Sequence, residues 1–191
     1  SNFERVKSVG KKSASTGTTL GKGSFALMAK LRHIDKLPTG IVPLDMLMQG
    51  GLGRGQQGVV IAGSGVGKSL FLSSQAAVAA LMGFNVGYVT LELNPGIVAG
   101  RIQAAILDMP INDIMGDKFD EAEVLIETML PNLGMVVIEE MTPKKATHLD
   151  IYEWMQRVYK QHGRKIDVLL VDYADKLASP KHRENDSSYV A

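Results

Sequence analysis

Gly58-Val59-Val60-Ile61-Ala62-Gly63-Ser64-Gly65-Val66-Gly67-Lys68-Ser69-Leu70-Phe71-Leu72 is the stretch around which the rest of the chain is read. The apolar run Val59, Val60, Ile61 halts at a glycine-rich turn, and the turn opens through Lys68-Ser69 into an apolar helix. Strand, loop and helix in that order are what a phosphate-binding loop requires. Glycines let the backbone turn so that several N–H groups face inward toward phosphate oxygens, where a Cβ would obstruct. The helix that follows adds its positive N-terminal end. Gly63, Ser64, Gly65, Val66, Gly67, Lys68, Ser69 and Leu70 are therefore the expected nucleotide-binding residues. Lys68 is placed to reach the β- and γ-phosphates, and the Ser69 hydroxyl to ligate Mg²⁺. The strict pattern begins with glycine; here Ala62 stands in that place, small enough to keep the loop tight.

Working outward, 191 residues suffice for one sizeable domain with a core. A formal net charge of +1 gives no global signal for nucleic acid. The charge is uneven, however: Arg5, Lys7, Lys11, Lys12, Lys22, Lys30, Arg32 and Lys36 face only Glu4 and Asp35 near the start. Without cysteine there is neither a disulfide framework nor a thiolate metal site. No apolar run is long enough to span a bilayer, and no secretory signal pattern is present, so a cytoplasmic protein away from membranes is expected.

Residues 1–23, rich in Ser, Thr, Gly and Lys, read as a flexible basic arm, and 24–37 as a short amphipathic docking helix. Residues 38–191 read as the core domain. Within it, 57–61 is expected as the first core strand and 68–82 as a helix apolar on nearly every face. A second strand at 85–90, a helix from Asn94-Pro95 to Leu107, a connector at 109–116 and an acidic helix at 120–129 with Val124, Leu125 and Met129 inward follow. A strand at 135–138 precedes a helix at 147–161 that opens with Thr147 and Asp150 in capping-box spacing. Trp154 on that helix reads as packing rather than a functional stack. The last strand, 166–171, ends at Asp172. Strands that alternate with helices, each a near-continuous apolar run, predict an α/β fold with a mostly parallel sheet covered by helices on both faces.

Two carboxylates complete the chemistry. The run Val168-Leu169-Leu170-Val171 carries Asp172 to the C-terminal edge of the sheet, where ligands bind in open α/β folds. From there Asp172 can hold Mg²⁺ opposite Ser69, directly or through water. Glu92 also lies just past a strand end, on the same edge as Lys68, and can orient and deprotonate the water that attacks a γ-phosphate. Lys68 and Glu92 are thus the expected catalytic residues. His33, His148, His162 and His182 are scattered without metal-ligand spacing and receive no role.

Thr39-Gly-Ile-Val-Pro-Leu-Asp45, Gly50-Gly-Leu-Gly-Arg-Gly55, the phosphate loop, Thr90-Leu-Glu-Leu93 and Val171-Asp-Tyr-Ala-Asp175 resemble, in order and spacing, the DnaB-type replicative helicases, the phage and prophage branch most of all. The resemblance runs from about Pro38 to Leu177. It implies a RecA-like P-loop NTPase core that binds ATP and Mg²⁺, hydrolyses ATP, encircles single-stranded DNA as a homo-hexameric ring, and works beside a primase or helicase loader. Carried over by residue, Lys68 would contact the γ-phosphate, Ser69 and Asp172 would hold Mg²⁺, and Glu92 would be the general base. Arg101 matches a recurrent family arginine in the helix after that glutamate. The family's next strand with its polar sensor, its later DNA-binding loop, its arginine finger and its N-terminal helical domain find no match here, and a fragment of a longer protein is expected. Lys181, His182 and Arg183 read as a solvated loop.

Three other readings compete. RecA-like recombination or regulatory ATPases of the RadA or KaiC type share the Thr-Gly…Leu-Asp and Gly-Gly-Leu pieces but differ after the second and last core strands. A nucleotide-gated assembly or loader subunit would bind ATP with little turnover. A small-molecule kinase would need an acceptor pocket of which the sequence gives no sign.

Overall fold

The computed structural model describes residues 20–31 and 36–178. The basic arm before residue 20 and the triplet Lys181, His182, Arg183 lie outside them. Among the described residues, α1 (Lys22–Leu31), Lys36 and Gly53–Gly55 form one compact unit. Leu37–Leu52 and the described residues from Gln56 onward form the other. The helix expected at 24–37 ends at Leu31, and Lys36–Leu37 is a short strand, β1, paired with β2 (Leu52–Gly53).

The second unit is built on three parallel strands. β3 (Val86–Thr90) lies between β4 (Val136–Glu140) and β5 (Val168–Asp172). Thr90 stands in register with Glu140 on one side and Asp172 on the other. Every residue of β3 is buried, as its unbroken apolar run requires. Side chains alternate between the faces. Val86 and Tyr88 pack with Ala76, Ala77 and Ala79 of α3 (Lys68–Leu81) and with Val98 and Ile102 of α4 (Pro95–Leu107). Val89 and Leu91 pack on the other face with Ile151, Trp154 and Val158 of α7 (His148–His162). The expected double-sided cover is present. Gly87 faces α7, and a Cβ built on it would meet Ile166 Cδ1 at 2.7 Å and the Trp154 ring at 3.0 Å. Trp154 is packing, as its sequence setting predicts.

Local signals explain most boundaries. The Asn94 side chain accepts from Gly96 N at 2.8 Å and caps α4, with Pro95 at its first position. Thr147 and Asp150 form the expected capping box of α7. Between α2 (Val42–Leu47) and β1, both Asp45 carboxylate oxygens accept hydrogen bonds: Thr39 N at 2.6 Å, Thr39 Oγ1 at 2.8 Å and Gly40 N at 3.1 Å. These bonds, the Thr39 backbone donor foremost, hold the Asp45 carboxyl below the usual carboxylate range. The Gln75 amide of α3 donates to the Thr39 carbonyl. The Thr-Gly…Asp motif is therefore a hydrogen-bonded turn tied to the phosphate-loop helix. At the far end of the sheet, Asn85 joins all three strands. Its Oδ1 accepts from Met135 N at 3.1 Å, its carbonyl accepts from Asp167 N and Val168 N, and its N–H donates to Asp167 Oδ2 at 3.1 Å.

Three expectations are corrected. Residues 57–61 do not form the first core strand: among the described residues they pair with no strand, and Val59, Val60 and Ile61 are 72%, 43% and 90% exposed. The sheet order β4-β3-β5 leaves an outer edge on β4 and another on β5, and among the described residues the run joins neither, so it stays extended coil without a ladder. α3 is not buried all round: Ser73 and its alanines face inward while Leu70 and Leu81 are exposed. In α6 (Phe119–Met129) the buried pair is Ala122 and Ile126, with Val124 and Leu125 exposed. Positions i and i+4 share a face, and Val124, two residues from each, lies across the helix from them. The connector before α6 carries one helical turn, α5 (Ile111–Ile114).

Candidate functional site

The phosphate loop spans residues 63–67 and feeds directly into α3. Gly65 and Gly67 have φ of 76° and 105°, left-handed values that favour glycine. A Cβ on either would meet nothing within 4 Å, and one on Gly63 would make only an ordinary 3.6 Å contact with Val66. The requirement at 65 and 67 is therefore torsional rather than steric. The first α-helical bond runs from Phe71 N to Gly67 O at 2.9 Å, so the N–H groups of Lys68, Ser69 and Leu70 have no partner within the helix. They point out of a fourteen-residue helix whose dipole favours an anion at this end. Lys68 Nζ lies back over the loop and donates to the carbonyls of Ala62 at 2.8 Å and Gly63 at 3.0 Å.

Lys68 also faces the segment that follows β5. Its Nζ stands 5.8 Å from the centre of the Tyr173 ring, and Lys176 Nζ stands 4.8 Å from the same ring. Lys176 in turn pairs with Glu92 Oε1 at 3.2 Å. The Lys176 ammonium is held above its usual value, first by a hydrogen bond with Tyr173 and next by Glu92. Lys68, Tyr173, Lys176 and Glu92 thus form one continuous line along the C-terminal edge of the sheet. Glu92 is positioned from behind: Thr90 Oγ1 accepts from Leu93 N at 2.9 Å and donates to Leu93 O at 2.8 Å, which folds a tight turn around it. The glutamate is exposed.

Asp172 is the opposite case. It is fully buried at the end of β5. Its Oδ2 accepts from the Tyr88 hydroxyl at 3.1 Å. Its Oδ1 is buried with no hydrogen-bond partner among the described residues. Burial, and then the adjacent Asp172 charge, push the Tyr88 phenol above its ordinary range, so Tyr88 remains a neutral donor. Arg101 lies on α4. An orphaned carboxylate oxygen beside a phosphate-loop helix fits a divalent cation, since Mg²⁺ takes one or two protein oxygens and fills the rest of its shell from phosphates and water.

The sequence reading names Lys68, Ser69, Glu92 and Asp172, of which the structure joins Lys68 and Glu92 through Tyr173 and Lys176 and buries Asp172 at the end of β5. It misses Tyr88, Tyr173 and Lys176. A tyrosine inside a Val-rich strand two residues from a strand-end threonine is the one sequence signal that could have flagged Tyr88.

The chain is similar to known proteins in sequence and in fold. The family described as DnaB-like helicase C terminal domain matches residues 36–191. A DnaB-like replicative helicase of Enterobacteria phage T4 is 38% identical over 88 residues, which is 46% of this chain and 18% of that protein. A probable plasmid replicative DNA helicase of Chlamydia psittaci is 24% identical over an alignment that covers this whole chain and 44% of the relative. The chain therefore spans less than half the length of these relatives. The solved structure named ATPase Domain of G40P superposes with a TM-score of 0.62 at 18% identity, over 98% of this chain and 61% of that one. The RecA-like α/β expectation stands on that likeness.

Proposed function

The chain belongs to the DnaB-like helicase C-terminal domain family, and on that premise we propose that it is the ATP-hydrolysing motor domain of a replicative DNA helicase. The observation that carries the reading is the convergence of the phosphate loop, Glu92 and Asp172 on one sheet edge, linked through Tyr173, Lys176 and the parallel register of β3 and β5. Residues 63–70 would hold the nucleotide, with the free N–H groups at the start of α3 and Lys68 on its phosphates. Ser69 and Asp172 would hold Mg²⁺, which when bound neutralises phosphate charge. Glu92 would accept the proton of the attacking water. In the structure its carboxylate is shared with Lys176, so releasing that bond is part of preparing the base.

The same reading extends to partners. Residues 38–191 would be the RecA-like core and 1–37 an arm with a docking helix. The protein would assemble as a homo-hexameric ring around single-stranded DNA in the cytoplasm, with a primase or loader as neighbour. Among the described residues no helix is long and apolar enough to cross a membrane. Binding to the strand would be independent of sequence and would weaken with salt.

ATP turnover with and without single-stranded DNA tests the proposal. Strong stimulation by DNA is expected of a translocating motor. Lys68→Ala should abolish turnover. Glu92→Gln should bind nucleotide and lose about 10²-fold or more in rate; normal turnover in that variant removes Glu92 as the base. ATP binding without any DNA response would point instead to a nucleotide-gated assembly subunit.

A further inference from the structure

Tyr88 is the residue on which the two sides of this site meet, and no feature of the phosphate loop requires it. In the register of the sheet it stands opposite Leu170, so Asp172 is its diagonal neighbour on β5. Strands about 4.8 Å apart, with two residues of about 3.3 Å rise each, put these two backbones roughly 8 Å apart, a span that a long side chain bridges. The tyrosine does so: its hydroxyl donates to Asp172 Oδ2 at 3.1 Å, across 84 residues of sequence. Both side chains are fully buried. Ser73 of α3, itself fully buried, donates its Oγ to the Ser69 carbonyl at 2.9 Å.

A buried carboxylate is costly unless its oxygens find partners. Tyr88 satisfies one oxygen of Asp172 and leaves Oδ1 alone without a donor. The division is asymmetric: one oxygen is fixed, the other is left for a ligand that the protein does not supply. Resting on the reading of Asp172 as a Mg²⁺ ligand, we propose that Tyr88 is a positioning residue that fixes the Asp172 carboxylate through Oδ2 and reserves Oδ1 for the metal. Such hydrogen bonds behind a metal ligand orient it and set its affinity. A bond that only offsets burial would instead contribute stability and leave the metal response untouched.

The test uses a fluorescent ADP analogue titrated into the wild-type chain, Tyr88→Phe and Asp172→Asn, in EDTA and across a Mg²⁺ series. Phenylalanine keeps the ring packing and removes only the donor. Tyr88→Phe should raise the Mg²⁺ concentration for half-maximal effect by about 10-fold, the lower end for such partners, with affinity in EDTA unchanged. The ratio of affinities with and without metal is the deciding quantity, because a reduced folded fraction scales both arms alike. If Asp172→Asn shifts the Mg²⁺ response and a folded Tyr88→Phe does not, the positioning role is overturned and the metal reading of Asp172 survives. If neither variant shifts it, the metal reading falls and takes the proposal with it.

Discussion

Two apolar runs in this chain look alike as letters and fold differently. Val86-Gly-Tyr-Val-Thr90 is the central strand, buried along its whole length. Val59-Val60-Ile61 is also β-branched and ends at a glycine-rich turn, yet Ile61 is 90% exposed and the run joins no sheet among the described residues. Composition does not separate them; edges do. The first run has a parallel partner on each side, and its amides and carbonyls are spent in two ladders. The second reaches the phosphate loop as an unpaired approach. Hydrophobic sequence qualifies a segment for a sheet, and whether it pairs there is not written in the run itself.

The widest separation should appear in hydrogen exchange. Amides inside β3 should open only with global unfolding, on the order of 5–15 kcal/mol, and amides at 59–61 should exchange with openings near zero. Protection at 59–61 equal to that of β3 would erase the distinction. Gly87→Val comes next. It drives methyls into Ile166 and the Trp154 ring and should cost about 3 kcal/mol in a denaturant titration. Val89→Ala should cost about 2 kcal/mol through lost burial and a cavity, while Ile61→Ala should stay within about 0.5 kcal/mol. A cost at Ile61 matching that at Val89 would mean that the run is a core strand in solution.

The smallest effect concerns acid. The Asp45 carboxyl titrates lower in the folded chain than in the unfolded one, through its bonds to Thr39 and Gly40. Its contribution to stability is therefore complete above the unfolded carboxylate value and is lost as pH falls through the lower folded value. Asp45→Asn should remove that part of the acid limb and leave it flatter; an unchanged limb would show that the turn contributes nothing to the acid response.

Much of the site is legible from residues alone, because its parts follow short-range rules. A glycine turn before Lys-Ser, and an apolar run that ends in an acid, declare the loop and Asp172 without knowledge of the fold. The capping box at Thr147 is similarly local. What escapes needs the third dimension. The phase of α6 is obscured because Ala122 is small enough to belong to either face, while Val124 and Leu125 look like core and are not. The Tyr88–Asp172 bond depends on which strands are neighbours and in what register. Lys176 reaches Glu92 only after β3 and β5 are laid side by side.

Asn85 sits at the end of the sheet away from the candidate site, and its bonds reach the residues before β4 and at the start of β5. A slip of one residue in either pairing would turn every side chain of the slipped strand to the opposite face. Were β5 the strand that slipped, Asp172 would leave Tyr88 and turn to the face that Trp154 covers. Seen this way Asn85 is an alignment pin: it touches no part of the chemistry, yet it sets the phase in which the carboxylate arrives five residues later.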